Sequence, residues 1–376
     1  MASSLPICRG YSVYLDLFRV VAALVVVGAH STMPVISGSH YLFPFGEDAV
    51  QAFFVLSGFV IASVADGPEN TFRVFAIARL SRLWSVLIPA LFIGPALVHL
   101  ALHFWHEGYL TQFQGVILSE EFARSFAAAI FINEIWGLSL TPEFNVPLWS
   151  ISFEFWYYAM FAIFAFAPRR WRWLGVAVAA AIAGPQILLL MPGWILGAAI
   201  YHFRDRIQIG RKVGAGLFAI GPAIVLLGHT FHLAPWLQGL YLPFIGSKVL
   251  YGEMFFARDF LWQNLVGLAL AVHLAAGYVL LRDTNKVPAR IASLVRWAAG
   301  LTYSVYLLHF PAELALTGRL HAMRDGPFKV AVVMVGATLI SAAFGIILEP
   351  VKSPLRKWMT RVVRSSVNST ETVPAG

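Results

Sequence analysis

The sequence predicts an all-α, polytopic membrane protein with about ten transmembrane helices and with both termini in the cytoplasm. Composition is the first reason, since hydrophobic residues make up 59% of the 376 residues and charged residues only 12%. The second reason is that apolar runs long enough to cross a bilayer recur along the chain. The third is that Lys and Arg concentrate in alternate loops, which sets the orientation of the spans.

Ten apolar runs mark the predicted spans. They cover about residues 12–32, 47–65, 83–105, 148–167, 173–190, 193–203, 213–231, 260–281, 297–317 and 328–350. The sixth run, 193–203, is too short to cross a bilayer alone. We expect it to borrow residues from 187–191 or to lie half-buried against neighbouring helices.

The basic residues test this topology loop by loop. Twenty of the 27 Lys and Arg residues fall in loops on the side of the N-terminus: Arg9, Arg73, Arg79, Arg82, Arg169, Arg170, Arg172, Arg204, Arg206, Arg211, Lys212, Arg282, Lys286, Arg290, Arg296, Lys352, Arg356, Lys357, Arg361 and Arg364. Six fall on the opposite side: Arg124, Lys248, Arg258, Arg319, Arg324 and Lys329. The split places both termini in the cytoplasm. The net charge of +8 therefore indicates membrane anchoring rather than nucleic-acid binding.

The domain organisation is predicted to be simple. We expect one transmembrane domain over residues 1–350 and a cytoplasmic tail over 351–376 that is first basic and then disordered from Ser365. Cys8 is the only cysteine, so neither an intramolecular disulfide nor a cysteine-based metal site is expected. We predict no metal site and no tightly bound cofactor.

The first span carries three ionisable residues, Asp16, Arg19 and His30. Such residues are costly to bury in a membrane and usually serve a function. Arg19 and His30 are 11 residues apart, which places them on one helical face about 16 Å apart along the axis. Asp16 precedes Arg19 by three residues, a spacing that allows an ion pair.

His30 is the candidate catalytic base. A lone histidine in a helix is more often a satisfied structural group than a catalyst. An imidazole nevertheless titrates near neutral pH, which suits removal of a proton from a hydroxyl. The face shared with Arg19 favours the catalytic interpretation, because two buried polar groups on one stripe indicate a lined cavity.

Glu154 is the second candidate catalytic residue. It lies two turns into the fourth span, about 9 Å from the outer surface by helical rise, and Tyr158 follows at i+4. A carboxylate at that depth needs a partner. Because His30 is predicted at similar depth on the same side, we expect Glu154 to pair with His30 and to orient or charge its imidazole.

Three further short segments carry polar residues within a predicted span or directly next to one. Ser57 and Gly58 allow a close backbone approach, and helix packing is the favoured explanation. Arg79 and Arg82 share a helical face and could clamp a phosphate, although on spacing alone anchoring by the positive-inside rule is favoured. In the ninth span, Pro311 is expected to free a backbone carbonyl and to shape a cavity. The polar residues of the same span are Tyr303, Tyr306 and His309.

These blocks, in this order, resemble the acyltransferase-3 family of bacterial integral membrane O-acyltransferases. The resemblance is carried by Tyr14, Asp16, Arg19 and His30 in the first span, Phe53 to Phe59 in the second, Arg79 and Arg82, then Trp149, Ser150 and Glu154, and finally Thr302 to Pro311 with Glu349 and Pro350. It extends over about residues 11–350. It leads us to expect the form without a fused C-terminal esterase-like domain, since 26 residues follow Pro350.

The resemblance implies transfer of an acyl group, often acetyl, from cytoplasmic acyl-CoA to a hydroxyl of a surface polysaccharide, lipopolysaccharide or other glycoconjugate. It implies that His30 is the catalytic histidine and that Arg19, Arg79 and Arg82 hold the donor. The remaining residues that we predict to bind substrate or donor are Asp16, Ser57, Trp149, Ser150, Tyr158, Tyr303, Tyr306 and His309.

The expected partners are acyl-CoA, a glycan or glycolipid acceptor, the lipid bilayer and other glycan-assembly proteins, with no nucleic acid. The expected location is the bacterial cytoplasmic (inner) membrane. One alternative is a transporter of lipid-linked sugar or a small solute, with His30, Arg19 and Glu154 relaying protons or binding substrate. The other is a channel that passes the acyl donor to a separate outer transferase.

Overall fold

The structure is a computed structural model that describes residues 7–37, 43–105 and 118–371. Within these residues all regular structure is helical and no strand occurs. The predicted all-α class is therefore confirmed.

The described residues form fifteen α-helices and several shorter helical turns. The α-helices are α1 (Arg9–Ser31), α2 (Pro34–Ser37), α3 (Gly46–Ala65), α4 (Phe72–Phe104), α5 (Leu118–Ala129), α6 (Trp149–Phe166), α7 (Arg169–Ala183), α8 (Pro185–Leu189), α9 (Met191–Phe203), α10 (Arg211–Thr230), α11 (Leu233–Ile245), α12 (Phe260–Leu281), α13 (Ala289–Arg319), α14 (Pro327–Leu348) and α15 (Lys352–Glu371). Short 3₁₀ helices cover Ile135–Gly137, Glu143–Leu148, Arg204–Arg206, Phe255–Ala257 and Glu349–Val351, and a π-helical turn covers Val249–Glu253.

Eight helical segments of the described chain are long and apolar enough to cross a membrane. They contain α1, α3, α4, α6, α10, α12, α13 and α14. The predicted spans 173–190 and 193–203 do not meet this criterion. The first is divided, because the 15-residue α7 ends at Ala183 and the next residue, Gly184, has a φ of +86°. The second is the 13-residue α9, which rises only about 20 Å.

α9 lies against α3 with the two backbones in contact. A Cβ added to Gly58 would lie 1.9 Å from the carbonyl oxygen of Trp194, and one added to Gly197 would lie 1.8 Å from that of Val55. Glycine is therefore required on both helices. The expected close backbone approach at Ser57–Gly58 is found, and α9 is half-buried against its neighbour as predicted for a segment too short to span alone.

Two spans begin earlier than their apolar runs. α4 begins at Phe72, where the side-chain oxygen of Thr71 accepts the backbone N–H of Val74 as a helix cap. α13 begins at Ala289. The basic residues ahead of both apolar runs are therefore helical, because charged side chains do not interrupt a helix whose apolar remainder is packed. We call the end of the bundle at which α1, α4 and α13 begin the inner end, and the opposite end the outer end.

Helix α15 extends into the predicted tail, whose assignment as a disordered segment stays a prediction. α15 is helical through Glu371, so it covers the first seven residues of the stretch expected to be disordered from Ser365, and residues 372–376 lie outside the described chain. The stretch from Leu355 to Glu371 contains neither Gly nor Pro. A polar composition therefore did not end the helix, because nothing in its backbone breaks it.

Candidate active site

One cavity of about 410 Å³ opens inside the helical bundle. Its walls come from α1, α3, α4, α6 and α13 and from the start of α15. Nine of the thirteen predicted site residues line it: Arg19, Ser57, Arg79, Arg82, Ser150, Glu154, Tyr158, Tyr303 and Tyr306. The other four, Asp16, His30, Trp149 and His309, are not in its wall.

The cavity extends to the inner end of the bundle. Val64 lines it near the end of α3, Gly300 lines it in the first half of α13, and Lys352 lines it at the start of α15. These are the helix ends that the distribution of basic residues assigns to the cytoplasm.

The cavity wall carries an excess of positive charge. Its charged side chains are four cations, Arg19, Arg79, Arg82 and Lys352, and two carboxylates, Glu69 and Glu154. Arg79 forms an ion pair with Glu69 at 2.8 Å. The remaining positive charge favours anions, and guanidinium groups match the oxygens of a phosphate.

Arg82 is held on two sides. Its Nη1 lies 2.8 Å from Oε2 of Glu349, whose other oxygen accepts a hydrogen bond from Ser304 at 3.1 Å. Its guanidinium carbon lies 4.7 Å from the centre of the Tyr303 ring, and the Tyr303 hydroxyl donates to the carbonyl of Leu83 at 3.0 Å. The guanidinium is therefore oriented before any ligand arrives.

Two of the cavity cations, Arg19 and Lys352, lack a close partner. Within the described chain, neither side chain donates a hydrogen bond or lies in an ion pair within 4.0 Å. The predicted ion pair with Asp16 is thus not formed, because the Arg19 side chain enters the cavity while Asp16 stays outside its wall. Trp149 also stays outside, where it stacks on Phe256 at 4.7 Å.

Glu154 lies in a hydrogen-bonded network with α3 and α9. Its Oε1 accepts hydrogen bonds from the Ser57 hydroxyl at 3.0 Å and from the Tyr158 hydroxyl. The indole N–H of Trp194 donates to the Ser57 oxygen at 3.2 Å. Ser57 therefore has a polar role in the cavity as well as a packing role.

The predicted pairing of His30 with Glu154 is wrong, since each has other partners. The 3₁₀ helix Glu143–Leu148 is buried, and Asn145 donates from Nδ2 to the carbonyl of Leu307 at 2.7 Å. α6 therefore begins inside the bundle rather than at the surface. Counting depth from the start of the span placed Glu154 too near the outer end.

His30 instead pairs with His309 of α13. Nδ1 of His30 lies 3.1 Å from Nε2 of His309 and 3.0 Å from the carbonyl oxygen of Val26. Nδ1 of His309 lies 3.1 Å from the carbonyl of Val305 and 2.8 Å from that of Tyr306. His309 is fully buried, whereas His30 is partly accessible.

Tyr306 connects the cavity to the histidine pair. It lines the cavity, and its ring centre lies 6.0 Å from that of His309. Its hydroxyl lies 2.6 Å from the Ser150 hydroxyl and 3.1 Å from the carbonyl of Pro147. Phe53 packs edge-on against it at 5.7 Å. Tyr306 is therefore the part of the cavity wall that lies beside His309.

Sequence reasoning missed Glu313, Glu69 and Lys352. Glu313 is fully buried and accepts a hydrogen bond from the Ser31 hydroxyl at 2.7 Å. Its position four residues after His309, on the same face of an apolar span, was the available signal. For Glu69 and Lys352 the sequence held no signal beyond their loop positions.

Comparisons with known proteins give a consistent result. A family model described as an acyltransferase domain matches residues 12–346. The exopolysaccharide production protein ExoZ of Rhizobium meliloti is 26% identical over 341 residues, which cover 83% of this chain and 90% of that protein. The peptidoglycan O-acetyltransferase OatA of Listeria monocytogenes is 23% identical over 378 residues, and the match covers 93% of this chain but 56% of that protein. No solved structure matches the chain.

Proposed function

The chain belongs to the acyltransferase-3 family of membrane acyltransferases, and from that premise we propose that it moves an acetyl group from cytoplasmic acetyl-CoA to a glycan hydroxyl on the outer side. One observation carries the proposal. Tyr306 lines a positively charged cavity that reaches the inner end, and its ring centre lies 6.0 Å from that of His309, which pairs with His30.

The donor binds in the cavity with its phosphates toward the inner end. Arg79, Arg82 and Lys352 supply positive charge there, and the two arginines present N–H groups to phosphate oxygens. Arg19 lies further along α1 and has no fixed partner. It stabilises the negative charge that develops on the thioester oxygen during the reaction.

The acceptor hydroxyl meets His30 on the other side of Tyr306. His30 removes the hydroxyl proton as the oxygen attacks the thioester carbonyl, and the C–S bond of the resulting tetrahedral species then breaks. The acyl group leaves on the acceptor, and the proton passes from the imidazole to the CoA thiolate. Because Tyr306 lines the donor cavity on the side of His309, we infer that its hydrogen bond with Ser150 opens when the acceptor reaches the thioester.

The choice of a glycan acceptor rests on the relatives. One is named for exopolysaccharide production and the other for O-acetylation of peptidoglycan. Both names refer to glycans of the cell surface, so we infer a glycan of this class as the acceptor here, with the bacterial inner membrane as the site of transfer.

Transfer by the purified protein tests the proposal. The protein in lipid vesicles is supplied with acetyl-labelled acetyl-CoA and, in separate reactions, with an exopolysaccharide oligosaccharide or a soluble peptidoglycan fragment. We expect label on an acceptor hydroxyl, release of CoA in equal amount, and loss of both with His30→Ala. His103→Ala, which alters an exposed histidine at the outer end of α4, is the matched control.

Two results would contradict the proposal. Unchanged transfer by the inserted His30→Ala variant would remove His30 from the reaction. Uptake of a labelled sugar across the vesicle membrane without consumption of acetyl-CoA would favour the transporter.

A further inference from the structure

We propose that His309 and Glu313, one turn apart on α13, hold the last turn of α1 so that Nε2 of His30 is the basic atom. The inference rests on the proposed function, since it assumes that His30 removes the acceptor proton. It assigns His309 and Glu313 as positioning residues, neither of which contacts the donor cavity.

The hydrogen bonds of His309 determine which of its nitrogens carries the proton. Nδ1 lies 3.1 and 2.8 Å from the backbone carbonyls of Val305 and Tyr306. Carbonyl oxygens only accept hydrogen bonds, so Nδ1 is the donor. A neutral imidazole carries one N–H, which leaves Nε2 of His309 as an acceptor.

The same reasoning then determines the tautomer of His30. Its Nδ1 lies 3.0 Å from the carbonyl of Val26 and 3.1 Å from Nε2 of His309. Both partners are acceptors, so Nδ1 of His30 carries the proton and Nε2 carries the lone pair. Within the described chain nothing donates a hydrogen bond to that Nε2. The atom is therefore free to take a proton from a hydroxyl.

Glu313 fixes the neighbouring residue of α1. Its Oε1 accepts the Ser31 hydroxyl at 2.7 Å, and both side chains are fully buried. Consecutive residues of α1 are thus bound by residues four apart on α13, which sets both the rotation and the height of the α1 end. The ring of Phe310 packs edge-on against His30 at 5.5 Å and limits rotation of the imidazole.

The second carboxylate oxygen of Glu313 is buried and has no partner in the described chain. Holding Ser31 therefore needs one acceptor oxygen and no negative charge. The substitution Glu313→Gln therefore distinguishes a positioning role from a charge-balancing role, because Gln keeps the accepting oxygen and loses the charge.

The test compares paired substitutions by their kcat and by their KM for acetyl-CoA. His309→Gln places a carbonyl oxygen where Nε2 accepted, whereas His309→Phe fills the volume without an acceptor. We expect His309→Phe to lower kcat about 10²- to 10³-fold, since a misoriented base in the wrong tautomer is ineffective. His309→Gln should stay within about tenfold of the wild type, and the donor KM should change less than about threefold in both, because the cavity is intact.

Glu313 is tested in the same way. Glu313→Gln should keep near wild-type kcat, and Glu313→Leu should lower it. Thermal stabilisation by CoA shows that each variant is folded, and His309→Leu replaces the Phe variant if that one does not insert.

Three results would overturn the assignment: equal kcat losses for His309→Gln and His309→Phe, full activity of His309→Phe, or a Glu313→Gln variant as impaired as Glu313→Leu. Absence of transfer by the wild-type protein would instead overturn the proposed function itself. The two failures are therefore distinguishable.

Discussion

The side-chain amide of Asn145 donates a hydrogen bond to the main-chain carbonyl of Leu307 at 2.7 Å. In an uninterrupted helix this carbonyl would accept from the N–H of residue 311, which is proline and has none. The expectation that Pro311 frees a backbone carbonyl is therefore met, and Asn145 is the group that uses it. The contact ties the buried entry of α6 to the middle of α13, two residues before His309.

We expect Asn145→Ala to destabilise the protein by about 1–3 kcal/mol, because it leaves the Leu307 carbonyl buried without a donor. In a Pro311→Ala background the helix supplies its own N–H at that carbonyl. The same Asn145→Ala change should then cost clearly less. Melting temperatures of the four proteins in detergent complete the double-mutant cycle. Equal costs in both backgrounds would show that Asn145 stabilises the protein by another contact.

Substitutions at Arg82 and Glu349 separate donor binding from ion pairing. If Arg82 binds a donor phosphate, Arg82→Gln should raise the KM for acetyl-CoA about 10- to 100-fold, as expected for loss of a charge-assisted hydrogen bond. Glu349→Gln removes the negative charge that pairs with Arg82 at 2.8 Å but keeps an accepting oxygen that can orient the guanidinium, so it should leave this KM unchanged or lower it.

The control for this pair is Arg290→Gln, which changes an exposed arginine at the inner end of α13. It should leave the KM for acetyl-CoA unaltered. If Arg82→Gln and Glu349→Gln raise the KM equally, Arg82 serves the ion pair and not the donor.

Gly58→Ala should prevent the close packing of α3 on α9. Its methyl group would lie 1.9 Å from the carbonyl oxygen of Trp194, a backbone atom that cannot turn away. We expect a loss of about 3 kcal/mol or more in stability, measured as melting temperature and as yield of monodisperse protein. Gly216→Ala on α10 is the matched control, since a Cβ there meets nothing within 4 Å, and it should leave the stability unchanged or raise it by up to about 1 kcal/mol. A well-packed Gly58→Ala protein would show that the two helices separate easily.

The buried carboxyl group of Glu134 should make the stability of the protein depend on pH. Burial raises the pKa of Glu134 from 4.5 to about 7, although hydrogen bonds from Thr141 and Asn133 act in the opposite direction. Between these pH values the folded protein binds more protons at this site than the unfolded chain does. The free energy of unfolding should therefore fall as pH rises from about 4.5 through about 7, by at most about 3 kcal/mol.

Glu134→Gln keeps the accepting oxygen and removes the titration. Its melting temperature should fall less than that of the wild type between pH 5 and pH 8. Glu120→Gln, at an exposed position of α5, should keep the wild-type slope. Identical slopes in the wild type and Glu134→Gln would exclude Glu134 as the titrating group.

Much of the cavity wall could be predicted from local sequence patterns. The i, i+3 spacing of Arg79 and Arg82 places both side chains on one face of α4, and both line the cavity. Ser57 and Glu154 line the same cavity from two other helices, although the local pattern at Ser57 favoured helix packing and only the resemblance placed it in the site. These patterns do not specify how each helix is rotated about its own axis relative to its neighbours. Arg19 and His30 share a face of α1, yet only Arg19 enters the cavity while His30 meets His309 beyond Tyr306.

The sequence alone determined the helical class, the recurring apolar segments and the family, because composition, run length and ordered motifs are properties of the chain itself. The tertiary structure decided which polar residues meet. In the structure Glu154 accepts hydrogen bonds from Ser57 and Tyr158, and His30 lies against His309. The physical reason is the start of α6: a buried 3₁₀ helix anchored to the carbonyl that Pro311 frees sets how deep that span begins, and no periodicity within the span encodes this depth.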